Sequence, residues 1–200
     1  MIKPNLFFPT PVWALQIENY KSVNEEMYAY IKNQQKKDQI GISKSNIKGW
    51  HSKDFNLNDK EPQNFASFVL SYVEQVMVDM NWDKLKQNVK INNMWAIVNT
   101  GGSANSRHQH GNSTISGAYY VRAPESCGDI IFYDPRPAPV YSYPNATSPN
   151  SLNAQVNGIS PREGALVLFP SYLDHSVNEN LSNDERIVIS FNIVIQMKTK

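Results

Sequence analysis

Residues 186–196 read Arg-Ile-Val-Ile-Ser-Phe-Asn-Ile-Val-Ile-Gln, and their strict alternation decides the fold class. In extended backbone, successive side chains point to opposite sides. Ile187, Ile189, Phe191, Ile193 and Ile195 therefore share one face, and Arg186, Val188, Ser190, Asn192, Val194 and Gln196 share the other. The first face is apolar enough to lie under helices. The second turns Arg186, Ser190 and Asn192 toward the interior of a barrel, where an unpaired guanidinium is costly. Arg186 thus calls for an anion. A protein carboxylate can supply it at the surface, with Asp184 and Glu185 adjacent; a bound dicarboxylate is the other reading, since arginine offers a bidentate fork.

Working outward, residues 91–98, 115–121, 129–133 and 165–169 form further short β-branched and aromatic runs. Ahead of them the period changes. Ser22 and Glu25 have the spacing of a capping box, and Val23, Met27, Tyr30 and Ile31 follow on one helical face before the polar run 33–38. Pro62 opens a second helix, in which Phe65, Phe68, Val69, Tyr72, Val73, Val76, Met77 and Met80 form a stripe that stops at Asn81. Two helices followed by many strands without βαβ alternation predict an α+β, mainly β domain, with the helices on one face of an antiparallel sandwich or barrel. Residues 1–82 read as a helical buttress and 90–197 as the β core of one domain. Between Pro135 and Pro161 lie six of the twelve prolines, marking either a mobile lid or a rigid surface excursion.

Composition narrows the function classes. The 200 residues are 40% hydrophobic and 18% charged, with a formal charge of +1, so no broad cationic face is available for a phosphate backbone and nucleic acid is not an expected partner. Cys127 is the single cysteine, which excludes an internal disulfide and fits a reducing, cytoplasmic compartment. The apolar start at residues 6–17 is interrupted by Pro9 and Pro11 and lacks a basic flank, and no run reaches the roughly 18 apolar residues of a membrane span. The chain reads as soluble and unprocessed, with no membrane partner.

Two of the four histidines form His108-Gln109-His110 just before a strand. At i and i+2 their imidazoles project to the same side, and His175, after the Pro170-Ser171 break, can return on a neighbouring strand to complete a facial set of metal ligands. The alternative is that all three are surface polar residues. His51, beside Trp50, reads as structural or substrate-facing rather than as a fourth ligand. Tyr120, in preference to Tyr119, can send a phenol toward a bound carboxylate. Asn99 offers a cofactor hydrogen bond or serves as a turn residue before Gly101-Gly102.

His108-x-His110, then His175, then Arg186 eleven residues later resembles the H-x-D/E, distal His and following Arg of the Fe(II)- and 2-oxoglutarate-dependent dioxygenases. The chain is further similar to one branch of these oxygenases frequent in phage and marine bacterial sequences. The marks are Leu6-Phe7-Phe8-Pro9-Thr10-Pro11-Val12, Ser45-Asn46 with Gly49-Trp50-His51-Ser52, Ser116-Gly117-Ala118-Tyr119-Tyr120-Val121, Asp134-Pro135-Arg136 and Leu168-Phe169-Pro170-Ser171. The resemblance implies a double-stranded β-helix, or jelly roll, holding Fe(II) on His108, His110 and His175. It implies 2-oxoglutarate as co-substrate, anchored by Arg186 and Ser190 with Tyr120 and Asn99 nearby, and hydroxylation of a substrate with release of succinate and CO₂. His110 stands where the wider superfamily has a carboxylate, and H-x-H is the usual form in this branch; Asp129, Asp134 and Asp174 are the other carboxylates in reach. Substrate identity is not legible, a homo-oligomer is compatible, and phage origin would place the protein in the host cytoplasm. A cupin-like metalloenzyme without 2-oxoglutarate and a non-catalytic jelly-roll binding module remain as rival readings.

Overall fold

A computed structural model of the chain describes residues 2–137 and 144–198. In chain order the elements are β1 (Trp13–Gln16), α1 (Lys21–Lys37), β2 (Asn46–Ile47), β3 (Trp50–His51), α2 (Lys60–Asp79), β4 (Gln87–Asn99), β5 (Ala104–His108), β6 (Ile115–Arg122), β7 (Ile130–Tyr133), β8 (Val156–Ile159), β9 (Ala165–Pro170), β10 (His175–Val177) and β11 (Arg186–Met197). They build a six-stranded sheet of order β1-β9-β6-β11-β4-β3 and a five-stranded sheet of order β2-β5-β10-β7-β8, with every pairing antiparallel. The fold is a mainly β jelly roll.

The alternation of β11 is obeyed. Ile187, Ile189, Phe191 and Ile193 join one core with Met27 and Ile31 of α1 and with Phe65, Val69, Val73 and Val76 of α2. Val188, on the other face, joins a second core with Tyr120, Phe169 and, from the five-stranded sheet, Ile130 and Phe132. The helices thus cover one face of the six-stranded sheet, and its other face meets the second sheet. Gly117 lies opposite Phe191 in the β6–β11 register, and a Cβ there would collide with the phenyl ring.

Several expectations need correction. The Ser22–Glu25 capping box is not made: α1 already starts at Lys21 behind Tyr20, which makes no side-chain cap hydrogen bond. The helix also continues through the polar run to Lys37, because Gln and Lys are good helix formers and Lys36 and Lys37 suit the C-terminal end. Pro62 is the third residue of α2, not its first. Residues 1–82 are more than a helical buttress, since β1 and β3 are the two edges of the larger sheet and β2 is an edge of the smaller. These strands, together with β5, β8 and β10, left no period-2 signal because each is two to five residues long. Part of the Pro-rich stretch, residues 138–143, lies outside the described residues; after it, β8 pairs with β7. No helix among the described residues is long and apolar enough to cross a membrane.

Candidate metal and co-substrate site

His108 closes β5, His175 opens β10, and the two are register partners. His110 lies two residues past His108, its amide donating to the Ser171 carbonyl at 2.9 Å. The three imidazoles bring one ligand atom each within 4.8 Å of the others, and the Nε2 atoms of His110 and His175 are 3.3 Å apart. His108 Nδ1 lies 2.7 Å from the Ser106 carbonyl and His175 Nδ1 lies 3.0 Å from the Leu173 carbonyl. A carbonyl only accepts, so both Nδ1 atoms carry the proton and both Nε2 atoms present bare lone pairs. Burial pushes His110 down to about 3 and His175 down to about 4, each reinforced by its histidine neighbours, and lowers His108 as well. Neutral lone pairs that converge, with the second nitrogen of His108 and of His175 held by a carbonyl, suit a divalent cation of intermediate softness.

A polar chain holds His110 from behind. Asn192 Nδ2 donates to Asn93 Oδ1 at 3.0 Å, Ser116 Oγ donates to Asn192 Oδ1 at 2.7 Å, and Ser171 Oγ lies 2.9 Å from Ser116 Oγ. Ser171 then takes the His110 amide on its carbonyl. Neither Asp134 nor Asp174 is free to replace His110. Asp134 pairs with Arg136 at 2.8 Å, and Asp174 receives both Nε and Nη2 of Arg107, at 2.9 and 2.6 Å. Asp129 does not line the cavity.

Arg186 is 1% exposed and lines the same cavity, of about 470 Å³, as the three histidines. Among the described residues no carboxylate meets it. Glu185, one of the two expected partners, pairs with Lys32 at 3.0 Å. Nη1 instead donates to the carbonyls of Cys127, of Gly128 at 3.2 Å and of Asn178 at 3.2 Å, while Nη2 is buried with no hydrogen-bond partner among the described residues. Two of the carbonyls come from a turn that requires glycine: Gly128 has φ +92°, and a Cβ there would run into the Asn178 and Glu179 carbonyls, the former being the third acceptor. Burial lowers the guanidinium pKa, the sign of a cation that the protein alone does not neutralise. An orphaned, buried donor fixed in the same cavity as a cation-ready imidazole set fits a metal-chelating dicarboxylate.

Ser190 and Tyr120 also line the cavity, whereas Tyr119 faces the helices and donates to Asn24 Oδ1 at 2.7 Å. Burial raises the Tyr120 phenol, which therefore stays protonated. Asn99 is not brought to the cavity. It is fully buried, donates to Asn105 Oδ1 at 3.1 Å, and abuts Gly49. Sequence reasoning missed Asn93, Trp95, Ser116 and Ser171. Ser116 and Ser171 stand in stretches that carry the resemblance but with no role attached, and the partners of the polar face of Asn192 follow from register, which one strand's sequence does not contain.

A jelly roll whose two sheets enclose three converging imidazoles and an uncompensated arginine defines a metal-dependent enzyme built for an oxoacid. Residues 93–192, half of the chain, match the family described as "Putative 2OG-Fe(II) oxygenase", and the chain belongs to that family. It is an oxidoreductase whose cofactor and co-substrate are Fe(II) and 2-oxoglutarate. The matched region begins and ends at Asn93 and Asn192, which are register partners. In fold the chain is similar to a prolyl-4-hydroxylase from Pseudomonas putida, with TM-score 0.64 at 10% identity over 92% of each chain. It is likewise similar to the α-ketoglutarate-dependent epimerase SnoN from nogalamycin biosynthesis, with TM-score 0.67 at 10% identity over 95% of this chain and 82% of that one. A third likeness is to HygX from Streptomyces hygroscopicus, solved with nickel and 2-oxoglutarate bound, with TM-score 0.61 at 9% identity over 92% and 83%. At such identities the likeness is one of fold. No curated protein matches the chain in sequence.

Proposed function

We propose that the chain hydroxylates a C–H bond of a small substrate, with His108, His110 and His175 holding Fe(II) and Arg186 holding the distal carboxylate of 2-oxoglutarate. The observation that carries this reading is the buried, unpartnered Nη2 of Arg186 in the cavity that the three imidazoles line. Bound together, Fe(II) and 2-oxoglutarate supply the activation of O₂, with succinate and CO₂ as co-products. The protein's part is positional. Three backbone carbonyls fix one edge of the guanidinium and leave the other as a donor for a carboxylate, to which Ser190 and Tyr120 add hydroxyls. Ile130, Phe169 and Val188 give the site an apolar wall that limits water. A reducing cytoplasm suits both Fe(II) and the buried thiol of Cys127.

The test is a titration of 2-oxoglutarate into the anaerobic Fe(II) protein, followed by the visible charge-transfer band of a chelated 2-oxo acid. Arg186→Lys keeps the charge without the fork, and Arg186→Met loses both. Affinity should fall in that order, by about 1.5–3 kcal/mol for Met, the scale of a charge-assisted hydrogen bond, while iron affinity is retained. If the wild type forms no band, or if the Met variant binds 2-oxoglutarate as tightly, the cupin-like reading replaces this one.

A further inference from the structure

The deep end of the cavity is assigned to Arg186 and its centre to the imidazoles, but a third part has no role yet. β3 and the chain beyond it run along the free edge of β4: His51 pairs with Ile97, the Ser52 amide donates to the Ala96 carbonyl at 2.9 Å, and the Phe55 amide donates to Met94 at 2.7 Å. This course brings His51 and Asp54 into the cavity lining beside Trp95, with Lys44 joining from the preceding loop. His51 is 6% exposed. Its Nδ1 lies 2.6 Å from the Ser52 carbonyl, so Nδ1 carries the proton and Nε2 is a bare acceptor, with no partner among the described residues. The ring lies 5° from parallel to the Trp95 indole at 5.8 Å, and Trp95 is in turn 5.6 Å from the ring of His110. An unused, rigid acceptor therefore stands one aromatic ring away from the metal ligands.

Charge sharpens the requirement. Asp54 is the one carboxylate among the residues that line the cavity; Asn93 reaches it at 3.5 Å, and no described cation lies within ion-pair distance. Lys44 faces the same cavity and has no carboxylate partner among the described residues. Lys44 and Asp54 are both exposed, so the two opposite charges stand on the solvent-facing part of the cavity lining, not ion-paired with each other among the described residues. A ligand that carries both charges can pair with each, whereas one of a single sign meets a like charge on one side; at exposed residues this sets preference more than affinity. With 2-oxoglutarate sharing about 470 Å³, the space left suits a molecule of amino-acid size.

We propose that this wall is the substrate subsite and that the substrate is a small zwitterion, a free α-amino acid or a molecule with the same paired charges, its ammonium on His51 Nε2 and Asp54 and its carboxylate on Lys44. The assignment rests on the 2-oxoglutarate oxygenase reading above. The probes are the twenty free L-amino acids, each with its N-acetyl and its C-amide derivative, added to the full chain with Fe(II) and 2-oxoglutarate. Succinate formation in air and perturbation of the anaerobic charge-transfer band are the readouts. At least one free amino acid should raise succinate formation tenfold or more over background, and both blocked forms should lose at least tenfold in kcat/KM. Asp54→Asn should erase discrimination against the acetylated form, Lys44→Met discrimination against the amide, and His51→Phe should raise KM tenfold or more while 2-oxoglutarate affinity stays unchanged. A normal band with no response to any free amino acid, or equal use of free and blocked forms, overturns the substrate class alone. Absence of the band in the wild type overturns the cofactor assignment and this proposal with it.

Discussion

The two faces of β11 are made of neighbouring residues and do different work. On the helix side Ile187, Ile189, Phe191 and Ile193 are fully buried and pack with residues of both helices. On the cavity side Arg186, Ser190 and Asn192 alternate with Val188 around a space that the protein leaves open. One face supplies cohesion by removing apolar area from water, and the other gives up part of that gain to hold polar groups in place. The lesson is that stability and site geometry are separable along a single strand.

The largest effect on stability belongs to the helix face. Phe191 stacks edge-on to Phe65 at 6.1 Å and fills the space left by Gly117, so Phe191→Ala opens a cavity that neither sheet nor helix can close. A loss of about 3–5 kcal/mol is expected in urea unfolding of the metal-free protein. A loss below about 1 kcal/mol would break the comparison, because the helix face would then not be the cohesive one.

Next comes pH. His110 is held at about 3 and His175 at about 4 by burial, against about 6.5 in the unfolded chain. Between those limits the unfolded chain takes up protons that the folded chain refuses. Stability of the metal-free protein is therefore full well above pH 6.5 and falls as pH drops toward 4, by about 2–3 kcal/mol for each of the two histidines. Thermal midpoints across this range should show the slope, and the double substitution His110→Gln and His175→Gln should flatten it. An unchanged slope in that variant would assign the protons elsewhere.

Asn192 tests whether the polar chain positions His110. Asn192→Ala strands Ser116 Oγ and Asn93 Oδ1 at a cost of about 1–2 kcal/mol. The sharper readout is Co(II) binding, whose visible spectrum reports ligand geometry. Weaker binding with an altered spectrum is the expected result, and wild-type affinity and spectrum would leave Asn192 with a packing role only.

What the sequence disclosed follows the same division. The alternation of β11 and the stripe of α2 were legible because apolar periodicity is local. His108, His110, His175 and Arg186 were legible because their chemistry is unusual enough to be noticed singly. Asn93, Ser116 and Ser171 were not, since an Asn or Ser acquires a role only through the residue placed across from it, and that depends on register and sheet order. Arg186 is buried and lines the cavity, as its place on the polar face predicts, yet its carbonyl cradle at Cys127, Gly128 and Asn178 comes from segments 59, 58 and 8 residues away, which no local pattern announces. Asn99 was misplaced for the converse reason: it is the register partner of Arg186, but its amide turns to Asn105.

Arg186 also yields a prediction about stability alone. Arg186→Met removes a desolvated cation and three of its hydrogen bonds together, and these effects oppose each other. The metal-free protein should change by no more than about 1 kcal/mol in urea unfolding, well short of Phe191→Ala. A loss on the scale of Phe191→Ala would make Arg186 a structural residue and collapse the distinction between the two faces.

The smallest effect tests what holds α1 on the helix face. Ser22 and Glu25 have the sequence of a capping box, but the helix begins before Ser22, and Tyr20 at the cap makes no side-chain hydrogen bond. α1 is held instead by Met27, Tyr30 and Ile31 in the core and by Asn24, which donates to the Val121 carbonyl at 2.9 Å and accepts from Tyr119. An N-cap serine replaced by alanine costs about 1 kcal/mol, whereas a serine inside the first turn has little to lose. Ser22→Ala should therefore shift stability by less than about 0.5 kcal/mol, while Asn24→Ala, which strands the Val121 carbonyl and the Tyr119 hydroxyl, should cost about 1–3 kcal/mol. If urea unfolding ranks the two the other way, the cap rather than the packed face sets the start of α1, and the helix would be anchored by its end instead of by the sheet beneath it.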